Sequence, residues 1–257
     1  MNFPIQQLLV AIFIAAAAGL LGSFAVLKRM ALVGDALSHV ALPGIAPALI
    51  FNLNPFLGAM VFLFAAIIGI WFLEYKSALS TETIVGIFFS ASLALGALIT
   101  PEHELLEALL GNIQTLSYYE AALSILLSIG VIISLLAIRQ KLALNMISEE
   151  LSQSIGIKNR MLEFTYLFIF AIAVALGIRF VGALLMGSLV IIPAASAKNI
   201  SKSLNAFLSS SVTFSVIAAI IGVYVSYYYN LPSGPIFIIV SAVFFIFSLF
   251  IKTFKDK

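Results

Sequence analysis

The sequence predicts an all-α membrane protein with eight or nine transmembrane helices, and two observations predict it: composition and the length of the apolar runs. Of the 257 residues, 63% are hydrophobic and only 9% are charged, whereas a soluble domain carries about 25% charged residues. Apolar runs of the length that crosses a bilayer, about 20 residues, follow one another along the chain. Cysteine is absent, which excludes disulfides and thiolate metal sites. We expect a single transmembrane domain over residues 1–257.

Nine apolar runs are candidate spans. They cover residues 5–27, 31–51, 55–73, 83–100, 118–138, 161–178, 181–197, 206–228 and 235–251. The first run follows no Lys or Arg and has the length of a full span, so it is predicted to be a transmembrane helix rather than a signal peptide. The second run contains two ionisable residues and two prolines, and the seventh is short. If either of these is re-entrant, the number of spans falls to eight.

The distribution of Lys and Arg predicts the orientation of the chain. With the N-terminus outside and nine crossings, 12 of the 13 cationic residues fall on the cytoplasmic side, and only Arg179 falls outside. Such an excess of Lys and Arg is typical of cytoplasmic loops. We therefore expect a multi-pass protein of the plasma membrane with an external N-terminus and a cytoplasmic C-terminus.

Two ionisable side chains, Asp35 and His39, lie inside the second apolar run. One helical turn separates them, so both project from the same helix face. Charges inside a bilayer are costly unless they face protein or water. Carboxylate and imidazole are ligands for zinc, manganese or ferrous iron, so the pair is a candidate metal site. An internal hydrogen-bonded pair that joins two helices is the structural alternative.

Prolines in the second and seventh runs are candidate helix breaks. Pro43 and Pro47 follow His39, and Pro193 lies in a segment rich in small residues. Proline removes a backbone hydrogen bond and crowds the preceding turn, and broken helices beside polar residues recur at transport sites. The sequence leaves open whether these prolines line a pathway or only kink packed helices.

The longest polar stretch, residues 139–163, contains a short predicted helix on the cytoplasmic side. Ser148 can cap this helix, and Glu149 and Glu150 fall in its first turn, where the helix dipole favours acidic residues. Gly156 is predicted to end it.

Other polar residues are predicted to be structural. An outer loop carries acidic residues and the second histidine of the chain, namely Glu102, His103, Glu104 and Glu107. Such a loop could capture cations, but charge clusters are more typical of solvated surface. Glu82 is expected in a capping box with Ser80 or Thr81, and Arg179 is expected to anchor its helix at the lipid headgroups.

Six segments of the sequence, in order, resemble the permease subunits of metal-ion ABC importers. They are GSFAVLKRMALVGDALSHVALPGIA, STETIVGIFFSASLALGALI, LLGNIQTLS, NMISEELSQSIGIKNR, VGALLMGSLVIIPAASAK and LPSGPIFII. The resemblance extends over nearly the whole chain and includes the Asp-x-x-x-His pair. It departs from the family at Glu82, where Asp is frequent.

The resemblance implies the membrane half of an ATP-driven importer for zinc, manganese or iron. The ATPase would be a separate subunit, and an extracellular metal-binding protein would deliver the ion. This chain, which has no G-x-x-x-x-G-K-[ST] phosphate loop, is not expected to be an enzyme. It would work as a homodimer, with no bound cofactor and no nucleic-acid partner. The divalent ion would be its substrate, and Asp35 and His39 would line the ion path. The segment 148–158, with Glu150 and Gly156 at the spacing of the ABC coupling loop, would be the coupling helix that contacts the ATPase.

Three alternative functions stay open on the sequence. Permeases for metal chelates such as siderophores or cobalamin are usually longer, and a bulky ligand does not require an Asp/His pair. A proton-coupled secondary transporter could use Asp35 and His39, although the coupling-loop spacing argues against it. A membrane enzyme would use the same pair as acid and base, but the chain contains no nucleophile or cofactor motif.

Overall fold

A computed structural model describes residues 5–51, 53–77, 79–99 and 116–255, and all regular structure among them is helical. The α-helices are α1 (Ile5–Leu27), α2 (Ala31–Val40), α3 (Leu42–Ile50), α4 (Pro55–Lys76), α5 (Thr81–Ile99), α6 (Tyr118–Ile147), α7 (Glu149–Ser154), α8 (Asn159–Val181), α9 (Met186–Ile200), α10 (Leu204–Tyr229) and α11 (Ser233–Lys255). A 3-10 turn, Ala183–Leu185, precedes α9. The prediction of an all-α multi-pass protein is confirmed, since eight helical segments in the described part of the chain are long and apolar enough to span a membrane.

The second predicted span is the one that differs most from a regular transmembrane helix. It forms two short helices, α2 and α3, which are separated by Ala41. Neither is long enough to cross a bilayer alone, because a crossing takes about 20 residues. The predicted span 118–138 is instead too short, since α6 continues to Ile147.

One end of the helix bundle contains the short helix α7, and we call it the α7 end. There the residue after α1, Lys28, forms an ion pair with Glu163 of α8. Trp71, near the end of α4, donates its indole N–H to the carbonyl of Arg160 at 3.3 Å. The C-terminal parts of α1 and α4 therefore lie beside the start of α8.

We call the opposite end of the bundle the far end. The start of α1, the starts of α4 and α6 and the end of α8 lie there. Gln6, at the start of α1, donates to the carbonyl of Ser117 at 3.3 Å. Asn54, before α4, donates to Glu120 at 3.3 Å, and Arg179 near the end of α8 pairs with the same carboxylate at 2.6 Å. Arg179 thus has a protein partner at the end of its helix, in place of the lipid headgroups expected from the sequence.

The broken pair α2–α3 completes one full pass between these two ends. It begins three residues after Lys28, at the α7 end, and it ends four residues before Asn54, at the far end. With the eight long segments, the described residues make nine passes through the bundle.

Helices α1 and α8 form the centre of the bundle. In each, 72% of the most apolar stretch is buried inside the protein, compared with 22% in α5 and α11. The run of four alanines in α1, Ala15 to Ala18, lets neighbouring helices approach closely, as small residues do in membrane interfaces. Helix α1 packs on α6, α8, α9 and α10, so α8 and α9 are held in place for contact with α2.

Candidate functional site

The candidate site lies on α2, and the break that ends this helix follows directly after it. Pro43 and Pro47 have no N–H to donate to the carbonyls four residues earlier, those of His39 and Pro43. The hydrogen-bond ladder restarts when Gly44 and Ile45 both donate to the carbonyl of Ala41, at 3.0 and 3.1 Å. The discontinuity at Ala41 lies two residues after His39 and two before Pro43, as the sequence predicts for Pro43. The break expected at Pro47 is not found, because α3 is continuous through it.

Asp35 lies at mid-depth in the bundle. Gly34, its neighbour, faces the ring of Phe170, and Phe170 is the midpoint of α8, which has 23 residues. On the other side, Gly187 of α9 is so close that an added Cβ would lie 2.6 Å from the Cβ and 3.0 Å from Oδ1 of Asp35. Only glycine fits at position 187 without moving the Asp35 carboxylate.

Ser38 fixes α2 against the start of the α9 segment. Its hydroxyl lies 2.6 Å from the carbonyl of Asp35 and 2.7 Å from the carbonyl of Ala183. Ser38 is fully buried, whereas Asp35 and His39 are half-buried. Because Ser38 fixes the position of the backbone between Asp35 and His39, the Cα atoms that carry these two side chains are held in place.

His39 and Asp35 have few partners within the described chain. His39 Nδ1 is buried and has no hydrogen-bond partner, and its ring meets the ring of Phe89 edge-on, with centroids 5.4 Å apart. The described residues form no hydrogen bond or ion pair with the Asp35 carboxylate. The structural alternative, an internal pair that bonds a second helix, has no support in these contacts.

Two ligands alone do not enclose a metal ion. Within residues 5–51, 53–77, 79–99 and 116–255, no group of three or more His, Cys, Asp and Glu side chains is placed to hold one. Carboxylate and imidazole still match zinc, manganese and ferrous iron. An open, partial ligand set suits an ion that must both bind and leave.

The helix break expected at Pro193 is not found. Pro193 is buried inside α9, which is continuous from Met186 to Ile200. A single proline removes one hydrogen bond, and helices accommodate it with a bend. The discontinuity of this pass occurs earlier, at Gly182 and the 3-10 turn that follows it.

The short helix predicted within residues 139–163 is present as α7. Ser148 accepts a hydrogen bond from the N–H of Leu151 at 3.1 Å, and Glu149 and Glu150 occupy the first turn. Gly156 has φ +84°, the left-handed region that favours glycine. Its N–H and that of Ile157 bond the carbonyls of the last turn at 2.9 and 3.1 Å, which is a Schellman ending.

A cavity of 790 Å³ lies at the α7 end, between the ends of α1, α4 and α6 and the starts of α5, α7 and α8. Its charged lining is mixed in sign and includes Arg29, Glu74, Glu82, Glu149 and Arg160. Within its wall, Ser80 caps α5 by accepting from Thr83 at 3.3 Å. Glu82 is exposed and is not the partner in that cap, contrary to the expected capping box.

The sequence interpretation missed three residues that shape these regions. Gly187 sets the position of Asp35, Phe89 contacts His39, and Asn159 bonds α7. A glycine in a small-residue segment is a signal for close approach, but nothing in the sequence names its partner. The acidic outer loop with His103 lies outside the described residues.

Comparison with known proteins identifies the family. The ABC 3 transport family matches residues 1–252. This chain belongs to that family. The resemblance seen in the six sequence segments is therefore confirmed over almost the whole length.

Relatives of this permease share both sequence and fold. It is 32% identical over 255 residues to the manganese transport system membrane protein MntC of Listeria innocua, covering 97% of this chain and 91% of the relative. It is 33% identical over 238 residues to the high-affinity zinc uptake system membrane protein ZnuB of Haemophilus influenzae, covering 90% of each. The structure of PsaBC from Streptococcus pneumoniae in complex with Fab matches with a TM-score of 0.84 and 28% identity, over 96% of this chain and 91% of that one.

Proposed function

We infer that this chain is the membrane-spanning permease of an ATP-driven importer for divalent metal ions, of the manganese or zinc type. The observation that carries this inference is the Asp35–His39 pair, which lies at mid-depth with unpaired ligand atoms and next to a broken pass. Intramembrane acids and imidazoles mark ion pathways. The relatives named for manganese and zinc transport support the same cargo.

The proposed ion path runs past Asp35 and His39 along the broken pass α2–α3. A pair contributed by each of two copies would supply four ligands, which is the number that zinc prefers. Pro43 and Pro47 weaken the backbone continuity of the pass, so α2 and α3 can reorient separately when the transporter changes conformation. The pathway role of these prolines, and of buried Pro193, is part of this proposal.

The proposed orientation follows from charge. The cationic residues near α1, α4, α7 and α8 collect at the α7 end, whereas Arg179 lies at the far end. The positive-inside rule therefore favours a cytoplasmic α7 end and an external N-terminus. In that orientation α7, with Ser148, Glu149, Glu150 and Gly156, would contact a separate ATP-binding subunit. The far end would receive the ion from an extracellular metal-binding protein.

The proposed cycle couples α7 to α2. Nucleotide binding would bring two ATPase subunits together, displace the α7 helices and open the homodimer outward. The ion released by the binding protein would bind Asp35 and His39 and pass inward when the helices return. Because the ligand set of each chain is incomplete, binding would be weak enough to permit release.

ATP-dependent uptake in proteoliposomes tests this function. The permease, reconstituted with its ATPase and metal-binding protein, would be presented with manganese, zinc and ferrous iron in turn. We expect uptake of at least one ion, and loss of that uptake in Asp35→Asn and in His39→Ala. The matched control is Glu120→Gln, the same carboxylate-to-amide change at an acid whose charge is paired with Arg179.

The outcomes separate the candidate functions. Uptake of free ion that requires Asp35 supports the proposal, and retained uptake in both variants would refute the proposed ion path. Uptake that continues without the ATPase would favour a secondary transporter. Uptake of a chelate but of no free ion would contradict the metal-ion assignment.

A further inference from the structure

The first turn of α8 contacts three other helices at the α7 end. Asn159 bonds α7, Arg160 stacks on α4, and Glu163 pairs with Lys28 at the end of α1. These three residues lie within five positions of one another, on a single helical segment. A displacement of this turn therefore reaches α1, α4 and α7 together.

Asn159 closes the turn between α7 and α8. Its Oδ1 accepts from the hydroxyl of Ser152 at 2.8 Å, and its Nδ2 donates to the carbonyl of Glu149 at 3.1 Å. Ser152 is fully buried and lies in the middle of the six-residue α7. Both hydrogen bonds span the connection 155–158, which contains Gly156.

Within that connection, the N–H groups of Gly156 and Ile157 bond back to the last turn of α7, at 2.9 and 3.1 Å, and end that helix. Gly156 has open space around its Cα and a backbone conformation that other residues rarely adopt. At its other end α7 follows α6 after the single residue Ser148, and the Asn159 side chain links it to α8 by two hydrogen bonds. The two Asn159 bonds close a ring between α7 and the start of α8, so a displacement of α7 breaks them unless α8 moves as well.

Two other residues in the first turn of α8, Arg160 and Glu163, contact the helix bundle. The Arg160 guanidinium lies 4.1 Å from the ring centroid of Trp71 and 3.8 Å from that of Tyr75. Lys28 and Glu163 are only 10% and 17% exposed, so their ion pair is less screened by solvent than a surface pair. From this turn, α8 continues as an unbroken helix to Phe170, which contacts Gly34 beside Asp35.

We propose that Asn159 is the positioning residue that couples α7 to α8, so that displacement of α7 by the ATPase moves α8 and, through it, α2 at Asp35. This proposal rests on the proposed function. It assigns to one side chain the step between the ATPase contact and the ion site.

The test uses Asn159→Ala and compares metal ions transported with ATP hydrolysed in the full reconstituted complex. Each lost hydrogen bond shifts a conformational equilibrium by roughly two- to tenfold. We expect the ratio of ions to ATP to fall about fivefold or more, with the ATPase subunit still bound and ATP hydrolysis retained. Ser152→Ala removes one of the two bonds and is expected to give about a twofold fall.

The matched control is Asn199→Ala. Asn199 also donates to a serine hydroxyl of another helix, that of Ser248, at 2.9 Å, but it has no contact with α7. This variant loses a comparable bond and is expected to keep the wild-type ratio. A fall in Asn159→Ala alone supports the proposal, because a general loss of stability would affect both variants.

Two results would overturn the proposal: an unchanged ratio in Asn159→Ala, or loss of the ATPase subunit from that variant. If Asn159→Ala fails to fold, Ser152→Ala decides the same question. Amide hydrogen exchange of α7 in the permease alone gives a readout that needs no transport. We expect faster exchange of the α7 amides in Asn159→Ala and no change in Asn199→Ala, and equal exchange would contradict the coupling. Failure of the wild-type complex to transport any ion would instead refute the proposed function.

Discussion

The charged side chains named at the α7 end have interaction partners, whereas Asp35 and His39 at the centre of the bundle have few. At the α7 end, Lys28 pairs with Glu163 and Arg160 stacks on two aromatic rings. At the centre, His39 Nδ1 has no partner, and the described residues make no bond to the Asp35 carboxylate. Ionisable groups inside a membrane are costly and often mark ion pathways, which is the reason for placing the proposed ion path at Asp35 and His39. Paired charges join helices at the α7 end, and in the proposed function the unpaired groups at the centre are the ones that bind the ion.

Moving Asp35 without changing its chemistry is expected to have the largest effect. In Gly187→Ala the added Cβ would lie 2.6 Å from the Cβ of Asp35, so α2 or α9 must shift. Overpacking of this kind costs about 1–3 kcal/mol, which corresponds to a loss of metal uptake between about fivefold and about a hundredfold. The control is Gly130→Ala on α6, where the added Cβ meets open space. Equal uptake in the two variants would show that the position of Asp35 is not critical.

Perturbing the α7 end is expected to impair coupling and spare the metal site. Gly156→Ala places a side chain at φ +84°, which costs about 1–2 kcal/mol, and it would displace α7 from α8. We expect metal-dependent ATP hydrolysis to fall several-fold while the affinity for the ion is unchanged. Gly86→Ala, at a glycine with open space on α5, is the control. A parallel loss of metal affinity in Gly156→Ala would contradict the separation of the two regions.

Reversing a charge on α7 tests the proposed ATPase contact in a second way. Glu150 is exposed in the first turn of α7, where the helix dipole favours an acid by about 0.3–1 kcal/mol. Glu150→Lys is expected to weaken ATPase stimulation by two- to fivefold, on the order of that energy, without changing ion affinity. If Glu150→Lys assembles with the ATPase subunit and its ATP hydrolysis is stimulated normally, Glu150 is not part of the proposed ATPase contact.

Substitution of Arg160 measures how much its cation–π contacts contribute to the thermal stability of the permease. Arg160→Ala removes contacts with two rings, and Lys76→Ala removes one contact, with Phe72 at 4.8 Å. Each exposed cation–π contact is worth about 0.5–1 kcal/mol. We expect the thermal unfolding midpoint to fall more in Arg160→Ala than in Lys76→Ala. The reverse order would mean that the stacked guanidinium does not stabilise the α7 end.

A small effect, of the same size as that of Glu150→Lys, is expected at the ring that contacts His39. Phe89→Leu removes the edge-on contact at 5.4 Å, which is worth about 0.5–1.5 kcal/mol for aromatic pairs. The imidazole would lose part of its orientation, and we expect the affinity for the ion to fall by about two- to fivefold. Phe250→Leu, on the exposed surface of α11, provides the comparison and is expected to bind normally.

Features set by residues that are close together in the chain could be predicted from the sequence. The four-residue spacing of Asp35 and His39, the proline after them, and the cap and glycine around α7 each act through neighbours in the chain. The structure contains the α2–α3 break, the Ser148 cap and the Gly156 ending for that reason.

Features that depend on packing between distant segments could not be predicted. Pro193 resembles Pro43 in the sequence, yet α9 continues through it, as α3 continues through Pro47. A proline well inside a helix is accommodated by a bend, whereas Pro43 stands in the first turn of α3, where proline is tolerated and the ladder of α2 has ended. The approach of Gly187 to Asp35 and the bonds of Asn159 to α7 join segments whose contact only the fold decides.

Equilibrium binding of radioactive manganese and zinc to the purified complex tests the central claim most directly. Three proteins would be compared: wild type, Asp35→Asn, which alters the unpaired acid, and Glu163→Gln, which alters a paired one. Our account predicts that ion binding is lost in Asp35→Asn and kept in Glu163→Gln, with the lower thermal stability confined to Glu163→Gln. Binding that survives in Asp35→Asn, or that disappears in Glu163→Gln while the complex stays folded, would contradict it.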